Sequence, residues 1–140
     1  MDMLEAGRQV LASQPFNRFV GAVLCRFDRD GTELRIPITG DLMQQYGFVH
    51  GGVLSYAVDN ALTFAGGAAL GPEVVTSEFK INYVRPAIGQ EIIARAHAVY
   101  AGKSQATCRC DVFVAIDGKE TLCAVAQGTI ARLGAGPSDK

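Results

Sequence analysis

Residues 50–69, HGGVLSYAVDNALTFAGGAA, decide the fold of this 140-residue chain. Small and apolar residues recur along them at three- and four-residue spacings, which is the period of an α-helix, and they continue around most of the circumference. A helix that is apolar on nearly every side is buried rather than laid on a surface. We therefore predict a long central helix that His50-Gly51-Gly52 opens and that Gly66-Gly67 and Gly71-Pro72 close.

Asp59 is the only charged residue between Gly51 and Pro72. A lone carboxylate in a buried helix costs free energy unless it is hydrogen-bonded, paired or used in function. One interpretation is structural, with the carboxylate satisfied by Asn60, Thr63 or backbone groups. The other is catalytic, and the residues around Asp59 leave both open.

Length and composition favour a single domain over residues 1–140, since a chain of this length can bury a sizeable core. The formal net charge is −1, so no basic surface indicates nucleic acid as a partner. Glu5 and Arg8 interrupt any secretory pattern at the N-terminus, and the most apolar run carries Asp59 and several glycines. We expect a cytoplasmic protein with neither a membrane nor a nucleic-acid partner.

The four cysteines show no zinc-type spacing and lie in apolar, strand-like runs, which predicts buried reduced thiols. They are Cys25, Cys108, Cys110 and Cys123. Cys108 and Cys110 would point to the same face of a strand, but two thiols alone make a poor metal site. We expect no metal.

The rest of the chain predicts a short helix, a hairpin and a meander of strands around the central helix. Short turns between consecutive strands indicate an antiparallel sheet, so the expected class is α+β, with a curved sheet wrapped around one helix. The predicted elements are a helix over Met3–Ser13 within an N-terminal segment 1–15, strands over Phe19–Asp28, Thr32–Ile38, Val74–Val84, Glu91–Tyr100, Ser104–Ile116 and Thr121–Leu133, and a loose tail over 134–140.

The patterning of the late strands favours an oligomer. One helix covers only one face of a sheet, yet Val112 and Val114 alternate with Phe113, so both faces carry apolar residues. In the strand over Val74–Val84, alternation predicts that Val75 faces the same way as Phe79 and opposite to Thr76.

The glycines at the helix start suit an electrophilic carbonyl. Free N–H groups at a helix N-terminus stabilise an oxygen that becomes an oxyanion, and the Gly51 N–H is such a donor. Asp59 lies eight residues further on, about 12 Å along a helix. One carbonyl cannot touch both in one chain, so a reaction that uses both needs two subunits. A simple glycine-rich turn is the alternative.

Three further residues have a chemical and a structural interpretation. Thr63 lies one turn after Asp59 and could hold water, or its hydroxyl could bond back to the helix backbone. Gln44 could donate its amide N–H to a bound acyl group, or be an ordinary loop residue. His50 could act as a base, although a histidine at a helix start is more often a structural hydrogen-bonder.

Together these motifs resemble the hotdog-fold acyl-CoA thioesterases of the PaaI-like kind, including the 4-hydroxybenzoyl-CoA type. The resemblance spans roughly Leu42 to Ala131 and rests on His50-Gly51-Gly52, Asp59, Val75-Thr76-Ser77, the run from Asn82 to Ala87, Gly89, and Gly102-Lys103-Ser104. It implies an antiparallel sheet wrapped around one long central helix, assembled as a dimer or dimer of dimers with active sites at the subunit interface.

The resemblance also implies roles. Asp59 matches the carboxylate that acts as general base or nucleophile, Gly51 matches the N–H that polarises the thioester, and Gln44 and Thr63 match further catalytic positions. The positions that match substrate-binding residues are His50, Gly52, Thr76, Arg85, Lys103 and Ser104, of which Arg85, Lys103 and Ser104 suit the nucleotide of coenzyme A.

The resulting hypothesis is a homo-oligomeric enzyme that hydrolyses a small, medium or aromatic acyl-CoA without a cofactor, coenzyme A being part of the substrate. A hotdog hydratase or dehydratase acting on enoyl thioesters is a second hypothesis, and a non-catalytic acyl-CoA-binding module is a third.

Overall fold

The computed structural model describes residues 2–134, which form a six-stranded antiparallel sheet with a long helix against it. The strands lie in the order β1-β2-β4-β5-β6-β3. This confirms the predicted α+β class. The elements are α1 (Met3–Ala12), α2 (Asn17–Val20), β1 (Val23–Asp28), β2 (Gly31–Pro37), a 3-10 turn (Gly40–Leu42), α3 (Gly51–Leu70), β3 (Val74–Tyr83), β4 (Glu91–Ala101), β5 (Gln105–Ile116) and β6 (Lys119–Arg132).

The central helix α3 buries one broad face against β3, β4, β5 and β6. Leu54, Val58, Ala61, Leu62 and Ala65 are buried there, at the three- and four-residue spacings of a helix. The opposite stripe of α3, which carries Gly52 and Asp59, is exposed. The prediction of a helix buried on nearly every side is therefore wrong for this stripe, because within one chain the sheet covers only one side of α3.

The glycine pair within α3 does not end the helix. The helix continues through Gly66-Gly67 to Leu70 and ends at Gly71, whose φ of 109° is in the region that favours glycine. A Cβ on Gly66 would lie 2.5 Å from side-chain atoms of Ile130. Gly66 therefore permits close approach of α3 to β6, which is a packing role rather than a helix stop.

The predicted strand over Phe19–Asp28 is wrong at its beginning. Phe19 and Val20 belong to the short helix α2, which ends at Gly21 with a left-handed φ of 81°. The side chain of Asn17 then donates to the carbonyl of Ala22 and accepts from its N–H, each at 3.0 Å. Asn17 thereby provides hydrogen-bond partners for the backbone N–H and carbonyl of Ala22, at the point where the chain turns into β1.

Strand β3 contains an irregularity that reverses the predicted alternation. Its pairing with β6 shifts register between Thr76 and Glu78, as a β-bulge does. Phe79 packs against the core, Val75 is 44% exposed, and the Thr76 side chain points at α3, to which it is hydrogen-bonded. The prediction that Val75 shares a face with Phe79, opposite to Thr76, is therefore wrong.

The outer face of the sheet carries a network of ion pairs. Glu33 accepts from Arg35 and Arg95, each at 2.8 Å, and Arg95 also bonds to Glu120. Burial alone would raise the pKa of Glu33, but the hydrogen bonds from the two arginines outweigh it and lower that pKa. The guanidinium of Arg95 also lies 5.3 Å from the centre of the Phe113 ring, so this outward, half-buried aromatic side chain is partly covered within the chain.

None of the helices described is long and apolar enough to cross a membrane. Apart from Gly134, the predicted tail over 134–140 lies outside the described residues.

Candidate active site

Asp59 is the centre of a small hydrogen-bonded cluster between α3 and β3. The hydroxyl of Thr76 donates to Asp59 Oδ1 at 2.5 Å and lies 2.7 Å from the hydroxyl of Thr63. Thr63 also donates to the backbone carbonyl of Asp59 at 2.7 Å, which is the back-bonding that the sequence left open. The cluster leaves Asp59 Oδ2 without a hydrogen-bond partner among residues 2–134.

The bulge in β3 makes this cluster possible. A regular strand would turn Thr76 away from the helix when Phe79 faces it. Because the extra residue reverses that relation, Thr76 reaches Asp59 and Thr63 on α3. The bulge has no signal in the sequence, which places Thr76 near the carboxylate only through the family resemblance.

The structural interpretation of Asp59 as a buried, locally satisfied carboxylate is not what the structure shows. Asp59 is exposed within the chain, and its carboxylate bonds to a residue of another element. Asn60 does not bond to it, because Asn60 and Gln14 exchange two amide hydrogen bonds at 3.2 Å each. The exposed stripe of α3 therefore presents a carboxylate to solvent or to a ligand.

The start of α3 offers one open donor. His50 caps the helix, since its Nδ1 accepts from the N–H of Gly52 at 2.8 Å. The Gly52 N–H is thereby used. The Gly51 N–H has no acceptor among the described residues, as expected for a first-turn donor. The histidine thus has at least a structural role, and Gly51 presents its N–H at the positive end of the helix dipole.

Tyr83 makes a contact with the start of α3 that the sequence does not predict. From the end of β3 its hydroxyl donates to the carbonyl of Gly51 at 3.1 Å and lies 2.6 Å from the hydroxyl of Ser55. A Cβ on Gly51 would lie 3.4 Å from the ring. Tyr83 therefore ties the end of β3 to the first turn of α3 and holds the Gly51 peptide in place.

Gln44 lies in a tight loop before α3. Its side-chain amide oxygen accepts from the N–H of Tyr46, and its backbone N–H donates to the carbonyl of Phe48 at 2.8 Å. Because the oxygen is used within the loop, the NH₂ group is the end of the side chain that can donate to a ligand.

The predicted site residues fall into two groups within one chain. Asp59, Thr63 and Thr76 lie together, whereas Gly51 and His50 lie about 12 to 14 Å away along the same helix. His50 and Asp59 therefore do not converge on one substrate atom within a chain, as a hydratase would require.

The residues matched to the coenzyme A nucleotide are also separated. Lys103 and Ser104 lie in the turn between β4 and β5, at the same end of the sheet as the start of β3 but separated from it by β6. Arg85 follows the other end of β3. A ten-residue strand spans about 30 Å, so these side chains cannot hold one nucleotide together in a single chain. Ser104 is also 8% exposed, which leaves Lys103 as the accessible cation of that turn.

The cysteines offer no activated nucleophile. Burial raises the pKa of Cys108 and of Cys123 to about 11, and it raises the pKa of Cys110 further. These three are buried, as predicted, whereas Cys25 is half-buried, and all four are free. Within residues 2–134, no group of three or more His, Cys, Asp or Glu side chains could hold a metal ion.

Comparison with known proteins gives the family. The profile of the thioesterase superfamily matches residues 46–121, more than half of the chain. A thioesterase family protein from Silicibacter pomeroyi is 30% identical, with 92% of this chain and 96% of that one covered and a TM-score of 0.84. A thioesterase from Haemophilus influenzae is 25% identical, with 98% and 96% covered and a TM-score of 0.81.

A third structure extends the likeness of fold. The PaaI protein from the phenylacetic acid degradation operon of Escherichia coli is 18% identical, with 96% and 98% covered and a TM-score of 0.80. The antiparallel sheet around a long helix is thus the hotdog fold of these proteins, as the sequence predicted.

Proposed function

Because the chain belongs to the thioesterase superfamily, we propose that it hydrolyses an acyl-CoA thioester to the free acid and coenzyme A. The observation that carries the proposal is the Asp59 carboxylate, which is exposed on α3 and oriented by Thr76. No cofactor enters, and coenzyme A is part of the substrate.

The proposed reaction uses the carboxylate oxygen of Asp59 that has no hydrogen bond within the described residues. Thr76 holds Oδ1, so Oδ2 can accept a proton from a water molecule. The water oxygen then bonds to the thioester carbon, and the C–S bond breaks as the tetrahedral intermediate collapses. The released thiolate takes up a proton and leaves as coenzyme A. Direct attack by Oδ2 on the carbon, followed by hydrolysis of the anhydride, is the alternative that the geometry also permits.

The oxyanion needs a hydrogen-bond donor, and among the described residues the Thr63 and Thr76 hydroxyls beside Asp59 already donate to Asp59 itself. The Gly51 N–H is open but about 12 Å away along α3. Two copies whose α3 helices lie antiparallel would bring Gly51 of one chain to Asp59 of the other. The amide NH₂ of Gln44 is a second donor in the same part of the chain as Gly51.

The sheet has a surface that suits such a pairing. Strand β3 lies at the edge of the sheet, where its outer backbone groups have no partner strand within residues 2–134. Val75 and Tyr83 on this strand are 44% and 52% exposed. We propose that β3 pairs with its copy in a homodimer, which can associate further into a homotetramer. In such a dimer, Arg85 of one chain and Lys103 of the other could bind the nucleotide of one coenzyme A molecule.

We also propose that the protein is located in the cytoplasm. The four free cysteines support it, because free thiols persist in a reducing compartment.

The test of the function is thiol release from a panel of acyl-CoA esters, followed with Ellman's reagent and checked by mass spectrometry of the products. We expect release of free coenzyme A and the matching acid from at least one uncharged acyl-CoA. Hydration of an enoyl-CoA without thiol release would support the hydratase instead. Tight binding of CoA esters without either product would support the binding module.

A further inference from the structure

An apolar groove of about 340 Å³ lies between α1 and α3, directly beside the Asp59 cluster. From α3 it is lined by Thr63, Phe64 and Gly67, which follow one another on a single helix face. Thr63 is also the residue that bonds to the Asp59 carbonyl and lies next to Thr76. One end of the groove therefore meets the proposed site of thioester cleavage.

Helix α1 forms the opposite wall of the groove, and its packing fixes its distance from α3. Helix α1 packs tightly on β1, since a Cβ on Gly7 would lie 2.6 Å from Leu24 and 2.7 Å from Phe27. At the end of the groove near Asp59, the paired amides of Gln14 and Asn60 connect the segment after α1 to α3. Packing and hydrogen bonds on both sides therefore hold the groove in its shape.

The lining determines what the groove can take. No charged side chain is among the described residues that line it, and Phe27 and Phe64 meet edge to face at 5.2 Å across its inner end. Apolar cavities of about 150 Å³ take a benzene ring, and this groove is more than twice that volume. It suits an uncharged chain of medium length or a single aromatic ring with a short linker.

We propose that the groove holds the acyl group of the substrate, and that it selects uncharged medium-chain or arylalkyl acyl groups over short or carboxylate-bearing ones. This inference rests on the proposed function, since it concerns the same site. The carbonyl carbon would lie at the Thr63 end, near Asp59, and the far end of the acyl group would lie beside Gly67 and Val74.

The inference predicts a chain-length profile for the wild-type protein. We expect kcat/KM to rise about fourfold for each added methylene from acetyl-CoA to hexanoyl-CoA or octanoyl-CoA, where the groove is full. Butanoyl-CoA and succinyl-CoA have acyl groups of the same number of carbons, and only the latter carries a carboxylate. We expect butanoyl-CoA to be favoured at least about a hundredfold, because the groove has no partner for that charge.

Gly67 allows the groove to be filled without disturbing the fold. A Cβ there would lie 3.5 Å from Val74, which is ordinary contact, so Gly67→Leu places its added atoms in the groove. We expect the ratio of kcat/KM for octanoyl-CoA to kcat/KM for acetyl-CoA to fall at least about tenfold. Ala69→Leu is the matched control, since it adds a similar side chain to the same helix at an exposed position outside the groove.

A binding measurement separates failure of this inference from failure of the proposed function. Calorimetry with a non-hydrolysable octanoyl-CoA thioether should show tighter binding than with coenzyme A in wild-type protein, and Gly67→Leu should abolish the difference. If this binding difference is found but no thiol is released, the proposed function is overturned and the assignment of the groove to the acyl group stands. Equal loss of activity on acetyl-CoA and octanoyl-CoA, or an unchanged profile, would overturn the groove assignment. A change in oligomeric state on size exclusion would assign the groove to a second copy instead.

Discussion

At the scale of single residues, the contact that matters most is the one between Thr76 and Asp59. The 2.5 Å hydrogen bond to Oδ1 fixes the rotation of the carboxylate and leaves Oδ2 open. Thr76 lies three positions before the core residue Phe79, so in a regular strand without the β3 bulge it would face away from α3. The orientation of Asp59 therefore depends on a backbone irregularity in another element.

Thr76→Val should lower kcat about ten- to hundredfold, because a hydrogen bond to a charged group is worth about 1.5–3 kcal/mol. KM should change little, since the valine keeps the shape of the side chain. Thr76→Ser keeps the hydroxyl and should retain most of the activity. Steady-state kinetics on one acyl-CoA check this, and equal activity of the valine and serine variants would remove Thr76 from a positioning role.

At the scale of elements, the two adjacent glycines of α3 have opposite surroundings. Gly66 faces the buried side chain of Ile130, where an added Cβ would lie at 2.5 Å, whereas Gly67 faces the groove. Gly66→Ala should lower the free energy of unfolding by about 1–3 kcal/mol through overpacking. Gly67→Ala should raise it by up to about 1 kcal/mol through helix propensity. Urea unfolding of both variants tests this, and equal effects of the two would contradict the packing described.

Much of the architecture could be predicted because it depends on local patterns. The apolar period predicts α3, and the Asp117-Gly118 turn, with φ values of 49° and 83°, gives the hairpin between β5 and β6. The exposure of Asp59 could not be predicted, because it depends on which side of α3 the sheet covers. The contact from Tyr83 to Gly51 could not either, since it joins residues 32 positions apart.

At the scale of the whole molecule, the ion pairs on the outer face make stability depend on pH. Hydrogen bonds from Arg95 lower the pKa of Glu120, and those from Arg95 and Arg35 outweigh burial to lower the pKa of Glu33. A lowered pKa in the folded state contributes stability above the unfolded value, near 4.5, and that stability is lost as pH falls through the folded value.

Arg95→Met should therefore lower the free energy of unfolding by about 1 kcal/mol at pH 7, after allowance for partial exposure, and by less at pH 3. Arg109→Met is the control, because the Arg109 guanidinium donates to the neutral side chain of Gln127. Its effect should not depend on pH in this range. Urea unfolding at both pH values measures this, and a constant difference for Arg95→Met would argue against the network as its cause.

Two variants separate the halves of the proposed two-chain site. Asp59→Asn removes the carboxylate. Gly51→Pro removes the N–H and adds a ring whose Cβ would lie 3.4 Å from the Tyr83 ring, which is ordinary contact. Proline suits the first position of a helix, and the His50 backbone, with ψ of 134°, suits a following proline. We expect each variant alone to fold and to lose activity by orders of magnitude.

The most direct test is the rate of thiol release by mixed oligomers, co-expressed with different tags from the Asp59→Asn and Gly51→Pro chains. If the site combines Gly51 of one chain with Asp59 of its partner, each mixed dimer keeps one intact site and should show about half of the wild-type rate. Mixed oligomers as inactive as either parent would contradict a shared site. Wild-type activity of Asp59→Asn alone would contradict the role of Asp59 itself.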